Sequence, residues 1–119
     1  MAYGHLMKNF MDIEDKTIKL GKEAEDHIKK DHPEISLVMI RQALKDPDVI
    51  MESRHKEFVN LYYLLRYFKD NDKTRPRFTQ IVVKNTDDGY WISTATTRSN
   101  IAKGKNKYIK EGFDENLLR

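Results

Sequence analysis

Residues 78–97 read FTQIVVKNTDDGYWISTATT, and this stretch decides the fold. Ile81, Val82 and Val83 centre a run whose β-branched and aromatic side chains suit a pleated surface better than a helix. Thr86-Asp87-Asp88-Gly89 carries the Asp-Gly turn chemistry that reverses a chain between antiparallel strands. Residues 90–97 return as the partner strand, rich in Trp, Ile and Thr. A β-hairpin is therefore the fixed point from which the other elements are read.

Upstream, residues 58–68 alternate. Val59, Leu61, Tyr63, Leu65 and Tyr67 form an apolar side; Asn60, Tyr62 and Arg66 lie on the other, with Phe58, Leu64 and Phe68. A helix presenting Phe58, Leu61, Tyr62 and Leu65 fits nearly as well, but the density of Tyr and Phe favours a strand. The polar segment KDNDKTRP at 69–76 is the turn, and Val49-Ile50 marks a further β-prone segment at 48–52. Before it come two helices. The first covers 22–30 with Ala24 and Ile28 as its narrow apolar stripe. It stops near Asp31 because Pro33 disfavours helical geometry in His32. Pro33 suits the first turn of the second helix, whose Ile35, Met39 and Ala43, flanked by Ile40 and Leu44, keep helical spacing up to Asp46-Pro47.

Residues 17–20 are a short strand or extended lead-in, 1–16 a peripheral segment, and 99–107 a Gly- and Lys-containing loop. Tyr108-Ile109 is a short edge strand and 111–119 a tail. The expectation is one α+β domain over 1–119, with two N-terminal helices packed on one face of an antiparallel sheet of about four strands. A partner, a ligand or water then takes the opposite face.

A chain of 119 residues has room for one such domain. It has no cysteine, which excludes a disulfide scaffold, a thiolate zinc site and a cysteine nucleophile. Apolar runs reach only four residues, as at 37–40, too short to span a membrane. The N-terminal MAYGHLMKNF lacks the apolar centre of a signal peptide, so a soluble, cytoplasmic protein is expected. The net charge of +3 is unevenly spread: residues 1–60 carry −2 and residues 61–119 carry +5. Within 73–110 nine Lys/Arg face two Asp, a net of +7. That concentration is either a solvated basic face or the footprint of a phosphate polymer.

Two groups of residues carry chemistry. The histidines are His5, His27, His32 and His55; His27 and His32 are five apart, poor spacing for a metal pair, and no metal or cofactor is expected. His32 is the better proton carrier, because Pro33 fixes the corner that aims it. The second group is WISTATTR at 91–98, where Ser93, Thr94, Thr96, Thr97 and Arg98 lead into Lys103, Lys105, Lys107 and Lys110 without an acidic residue before Glu111. Hydroxyls followed by cations suit a phosphodiester. Gly104 stands without a P-loop or dinucleotide fingerprint.

Several short motifs, in order, resemble the small metal-independent nucleases of the barnase–EndoU–colicin–RelE superfold, in its phage and mobile-element branch. They are His27 with His32-Pro33-Glu34, Asp46-Pro47-Asp48, Tyr62-Tyr63, Ile81-Val82-Val83, and Ser93-Thr94-Ala95 ahead of the Lys-rich loop. The resemblance covers 17–110 and implies a nuclease-like core there. It implies an endoribonuclease, toxin-like or phage-associated, that cleaves RNA (tRNA among the candidates) by 2′-hydroxyl transesterification. His27 and His32 would be the acid/base pair, Arg66 the catalytic cation and Thr94 the catalytic hydroxyl. Tyr62 would stack on a base, and Lys84, Thr97, Arg98, Lys103 and Lys105 would hold substrate. A cognate inhibitor or a host protein would be the natural partner.

One departure keeps a second class open. Residues 78–85 offer only Lys84 where a barnase-like strand would hold a Glu/His/Arg set. A non-catalytic binding module on the same fold, taking nucleic acid or a nucleic-acid-binding host protein, fits that departure.

Overall fold

The turn at 87–88 forms as its chemistry dictates. In the computed structural model, which describes residues 7–70 and 73–118, Thr86 Oγ1 accepts from the Asp88 amide at 3.1 Å and donates to the Gly89 carbonyl at 3.0 Å. Gly89 takes φ +105°, which a side chain would resist. Around this hairpin the elements run β1 (Met7–Met11), β2 (Thr17–Gly21), α1 (Lys22–Asp31), α2 (Leu37–Lys45), β3 (Val49–Ser53), β4 (Val59–Asp70), β5 (Lys73–Thr86), β6 (Gly89–Arg98) and β7 (Gly104–Ile109). A short 3-10 turn covers Glu115–Leu118.

The α+β class, the two helices and the antiparallel run β3-β4-β5-β6 are as the sequence implies, but the sheet is larger. It has seven strands among the described residues, in the order β1-β2-β6-β5-β4-β3-β7, and it is mixed, because β2 lies parallel to β6. Three differences account for this. Residues 7–11 are a paired edge strand rather than a peripheral segment, contributing Phe10 to the core. Residues 104–109, expected mostly as loop, pair with β3; an edge strand reading GKNKYI has little apolar alternation to reveal it. The polar segment 69–76 is largely ladder, with pairing running out to Asp70 and Lys73; only its tip lies outside the described residues.

The helix boundaries follow local chemistry. α1 has Glu23 and Glu25 in its first turn and Lys29 and Lys30 in its last, both favourable to the helix dipole. Pro33 does not open α2: residues 32–36 stay as a corner, and Ser36 caps the helix by accepting from the Met39 amide at 3.1 Å.

Among the described residues the chain itself packs side chains against both faces of the sheet. The helices bury Ile18, Leu20, Tyr62, Ile81 and Val83 on one side. On the other, Ile101, Phe113, Leu117 and Leu118 pack over Val49, Leu61, Tyr63 and Phe78. The Tyr63 hydroxyl anchors that cover, accepting from Gln80 Nε2 at 2.7 Å and from the Ala102 amide at 3.1 Å.

Two buried carboxylates hold the N-terminal hairpin. Asp12 is fully buried: its Oδ1 accepts from the amides of Glu14 and Lys16, and its Oδ2 accepts from the Tyr62 hydroxyl at 2.7 Å. Glu25, 4% exposed, receives two hydrogen bonds from Lys8 Nζ at 2.8 and 2.9 Å.

The hydrogen bond from Lys8 holds the Glu25 carboxyl below its ordinary value of 4.5, against the opposing effect of burial. The charged form is thus favoured by folding. Its stabilisation is complete above the unfolded value and disappears as the pH falls through the lower folded one. In Glu25→Gln the acid-unfolding curve should lose steepness below about pH 4.5, the ordinary carboxyl value, checked by circular dichroism across pH against wild type. Gly104 supplies a second test. A Cβ there would run into the Glu52 carbonyl oxygen, where β7 closes on β3. Gly104→Ala should cost about 1–3 kcal/mol, the range for an overpacked contact, read as a lower urea midpoint with the slope unchanged.

Candidate active site at the end of the central strands

The helix corner and three strands bring three hydrogen-bonded groups to one end of the sheet. Pro33 and the loss of helical geometry at His32 turn the chain back toward β6, where His32 Nδ1 comes within 3.1 Å of Thr96 Oγ1. Two residues on, Glu34 Oε2 accepts from Thr97 Oγ1 at 2.9 Å. Thr97 lies directly opposite Thr79 on β5, and Thr79 Oγ1 accepts from Arg66 Nε at 3.1 Å. The same guanidinium donates to Gln42 Oε1 of α2 at 2.6 Å. His27, on the last turns of α1, packs edge-on to His32 with ring centroids 6.0 Å apart, its Nδ1 3.0 Å from Asp31. An open cleft of about 300 Å³, lined by Thr97, Arg98, Ser99 and Asn100, adjoins these groups.

An imidazole, a carboxylate, a guanidinium and three hydroxyls thus share one end of the sheet. Such a set can take a proton, return one, and hold an anion. Among the described residues no group of three or more His, Asp or Glu side chains is arranged to hold a metal ion.

Of the ten residues singled out from the sequence, His27, His32, Arg66 and Thr97 are brought together here, with Arg98 on the cleft. The other five are elsewhere. Tyr62 is 1% exposed and bonded to Asp12, so its ring belongs to the core and cannot stack on a base. Lys84 is five residues along β5 from Thr79, about 17 Å at strand rise. Lys105 pairs with Glu52 on β7, and Lys103 lines a separate cleft with Arg54 and Leu118. Thr94 lies opposite Val82, where a bulge shifts the β5–β6 register, and its buried Oγ1 has no hydrogen-bond partner among the described residues.

Four members of these groups were not singled out: Glu34, Gln42, Thr79 and Thr96. Glu34 and Thr96 lie in the HPE and TATT motifs already quoted, and a return of the corner onto β6 would have found them. Gln42 and Thr79 carry no sequence signal.

The elements form one α+β domain with polar side chains gathered at one end of its sheet. The chain belongs to the phage-Barnase-EndoU-ColicinE5/D-RelE like nuclease2 family, PBECR2, whose model matches residues 4–118. Searches of curated proteins and of solved structures found no match. Among the described residues no helix is long and apolar enough to cross a membrane.

Thr94 offers a sharp test of cost against use. A buried hydroxyl without a partner lowers stability, and a methyl of the same shape removes that penalty. Thr94→Val should unfold at an equal or higher denaturant midpoint, by up to about 1–3 kcal/mol. A clear loss of stability in the variant would mean the hydroxyl is satisfied in solution.

Proposed function

We propose that this domain is a metal-independent endoribonuclease that cleaves RNA by attack of a 2′-hydroxyl on its own phosphodiester. One observation carries the reading: His32 and Glu34 reach neighbouring threonines of β6 while Arg66 is tied to Thr79, the residue facing Thr97. This set supplies the imidazole, carboxylate and guanidinium that the strand sequence at 78–85 lacks. Membership of a nuclease-like family supports the same class of reaction.

In the proposed step Glu34 takes the 2′-hydroxyl proton, and O2′ forms a bond to phosphorus. The bond from phosphorus to the 5′-oxygen breaks, and His32 gives that oxygen its proton. Arg66 faces the charge that builds on the phosphoryl oxygens, where a fixed cation is worth most. The products are a 2′,3′-cyclic phosphate and a free 5′-hydroxyl. His27, bonded to Asp31 and packed against His32, orients the imidazole.

A second reading has its own support. His32 and Glu34 each already engage a threonine, which suits a fixed binding surface as well as a proton relay. A non-catalytic binder on a nuclease-like fold is that alternative.

The deciding assay is total RNA incubated with the protein in excess EDTA, resolved on a denaturing gel. Cleavage ending in 2′,3′-cyclic phosphate is expected, reduced about 100- to 10,000-fold in His32→Ala and Glu34→Gln, the range for losing a general acid or base. Intact RNA with a salt-sensitive gel shift would replace the enzyme by the binder. Cleavage unaffected by either substitution would move the chemistry to other residues.

A further inference from the structure

The long ribbon formed by β4 and β5 contributes only Arg66 and Thr79 to the site just described, yet its composition is unusual. β3 pairs with β4 only as far as Tyr63, and β6 pairs with β5 only as far as Phe78. Past those residues β4 and β5 pair only with each other, so the ribbon leaves the seven-stranded sheet as a two-stranded arm. Arg66 lies directly opposite Arg77, and Arg75 follows two residues from Arg77. Residues two apart on a strand share a face, so all three arginines belong to one side of the arm.

Like charges placed directly opposite one another oppose sheet formation. None of Arg66, Arg75 and Arg77 forms an ion pair with a carboxylate whose side chain the structure describes, a set that leaves out Asp70 on the same arm. Arg66 donates to a neutral amide and a hydroxyl, and Arg77 donates to the Pro76 carbonyl at 3.1 Å. A guanidinium is always charged and matches phosphate geometry. The face is also continuous with the candidate active site. Tyr62 and Leu64 precede Arg66 on the same side of β4 and pack under the helices, and Arg66 itself is in that site. Arg75 and Arg77 stand about 6.7 Å apart at strand rise, a step comparable with that between neighbouring phosphates of an extended strand.

We propose that the arginine face of the β4–β5 arm binds the phosphates flanking the cleaved one on a single strand of RNA, with Arg77 beside Arg66 and Arg75 one step further out along the arm. This rests on the ribonuclease reading for the direction of the strand, and it extends the substrate from one phosphodiester to a tract of at least three.

Each phosphate contact on a single strand contributes about 0.7 to the slope of log affinity against log salt. The probe is a fluorescent 2′-O-methyl oligoribonucleotide, which cannot be cut, titrated with the full chain by anisotropy over a salt series. Arg75→Gln/Arg77→Gln should bind with a slope shallower by about 1.4, two contacts' worth, and its thermal midpoint should equal or exceed wild type as the repulsion is relieved. If the double variant folds poorly, Arg75→Gln alone, at an exposed position, should remove about 0.7. Arg75→Lys/Arg77→Lys keeps both charges and should keep the wild-type slope. An unchanged slope in the glutamine variants overturns the arm, as does an equal loss in the lysine variant. RNA cut normally with an unchanged slope removes the arm and leaves the ribonuclease. RNA bound with the expected slopes but never cut in EDTA removes the ribonuclease and leaves the arm.

Discussion

The structure depends on a parallel contact only two residue pairs long. β2 meets β6 at Ile18 with Tyr90 and at Lys19 with Trp91, and there the pairing stops. Gly21 then caps α1, and the chain leaves the sheet. Beyond Trp91 no strand among the described residues occupies the free edge of β6, and α1 packs beside it instead. That exchange makes the site possible. A strand continuing along β6 would have filled its edge with backbone hydrogen bonds. A helix followed by a sharp corner brings side chains there, His32 to Thr96 and Glu34 to Thr97. The edge is also protected against pairing with another chain, which an open strand would invite.

The short contact holds because its neighbours are fixed independently. Asp12 is the main device. With no exposure to water, its carboxylate needs donors on every side, and it finds them in its own turn and in the Tyr62 hydroxyl from the middle of the sheet. Burial, with the Asp12 hydrogen bond second, raises the Tyr62 hydroxyl far above the ordinary tyrosine value, so it remains a donor throughout the physiological range. The Ile13 amide donates to the Leu44 carbonyl at 3.0 Å, pinning the same turn to the end of α2. Lys16 and Lys19 lie over the rings of Tyr90 and Trp91 at 4.9 and 5.0 Å, adding cation–π attraction along the β2–β6 seam.

How much of this the sequence reveals depends on whether a residue's partner is local. The 87–88 turn, the helices and the strands β3 to β6 are set by neighbours within a few residues, and periodicity finds them. β1 and β7 are edge strands: of β1 only Phe10 is buried, and β7 has no buried residue, Lys105, Asn106 and Lys107 being exposed. Their pairing comes from β2 and β3, far along the chain, and no alternation announces it. Tyr62 illustrates the same limit within one residue. Its place on the more polar side of an alternating strand suggests a surface role, but that side lies under the helices, where Asp12, fifty residues away, meets its hydroxyl. The candidate site divides likewise. His32, Arg66 and Thr97 are legible as residue types suited to phosphate chemistry, whereas Gln42 and Thr79 matter only because α2 and β5 both touch Arg66.

The local costs in this molecule are unevenly placed, and their placement separates scaffold from working surface. The helices are conventional, with dipole-matched charges, a serine cap and buried apolar stripes. The strands carry the exceptions. Thr94 buries an unpaired hydroxyl at a bulge, Arg66 opposes Arg77, and Phe58, two-thirds exposed, holds φ +61° at the entrance to β4. Each of these opposes folding. Departures of this kind persist where a surface serves something other than its own stability. They lie on or beside β4, β5 and β6, the strands that also supply Arg66, Thr79, Thr96 and Thr97. The helices therefore act as a frame that contributes the corner from His32 to Glu34 together with His27 and Gln42, and the central strands present the surface at which the proposed RNA chemistry would be directed.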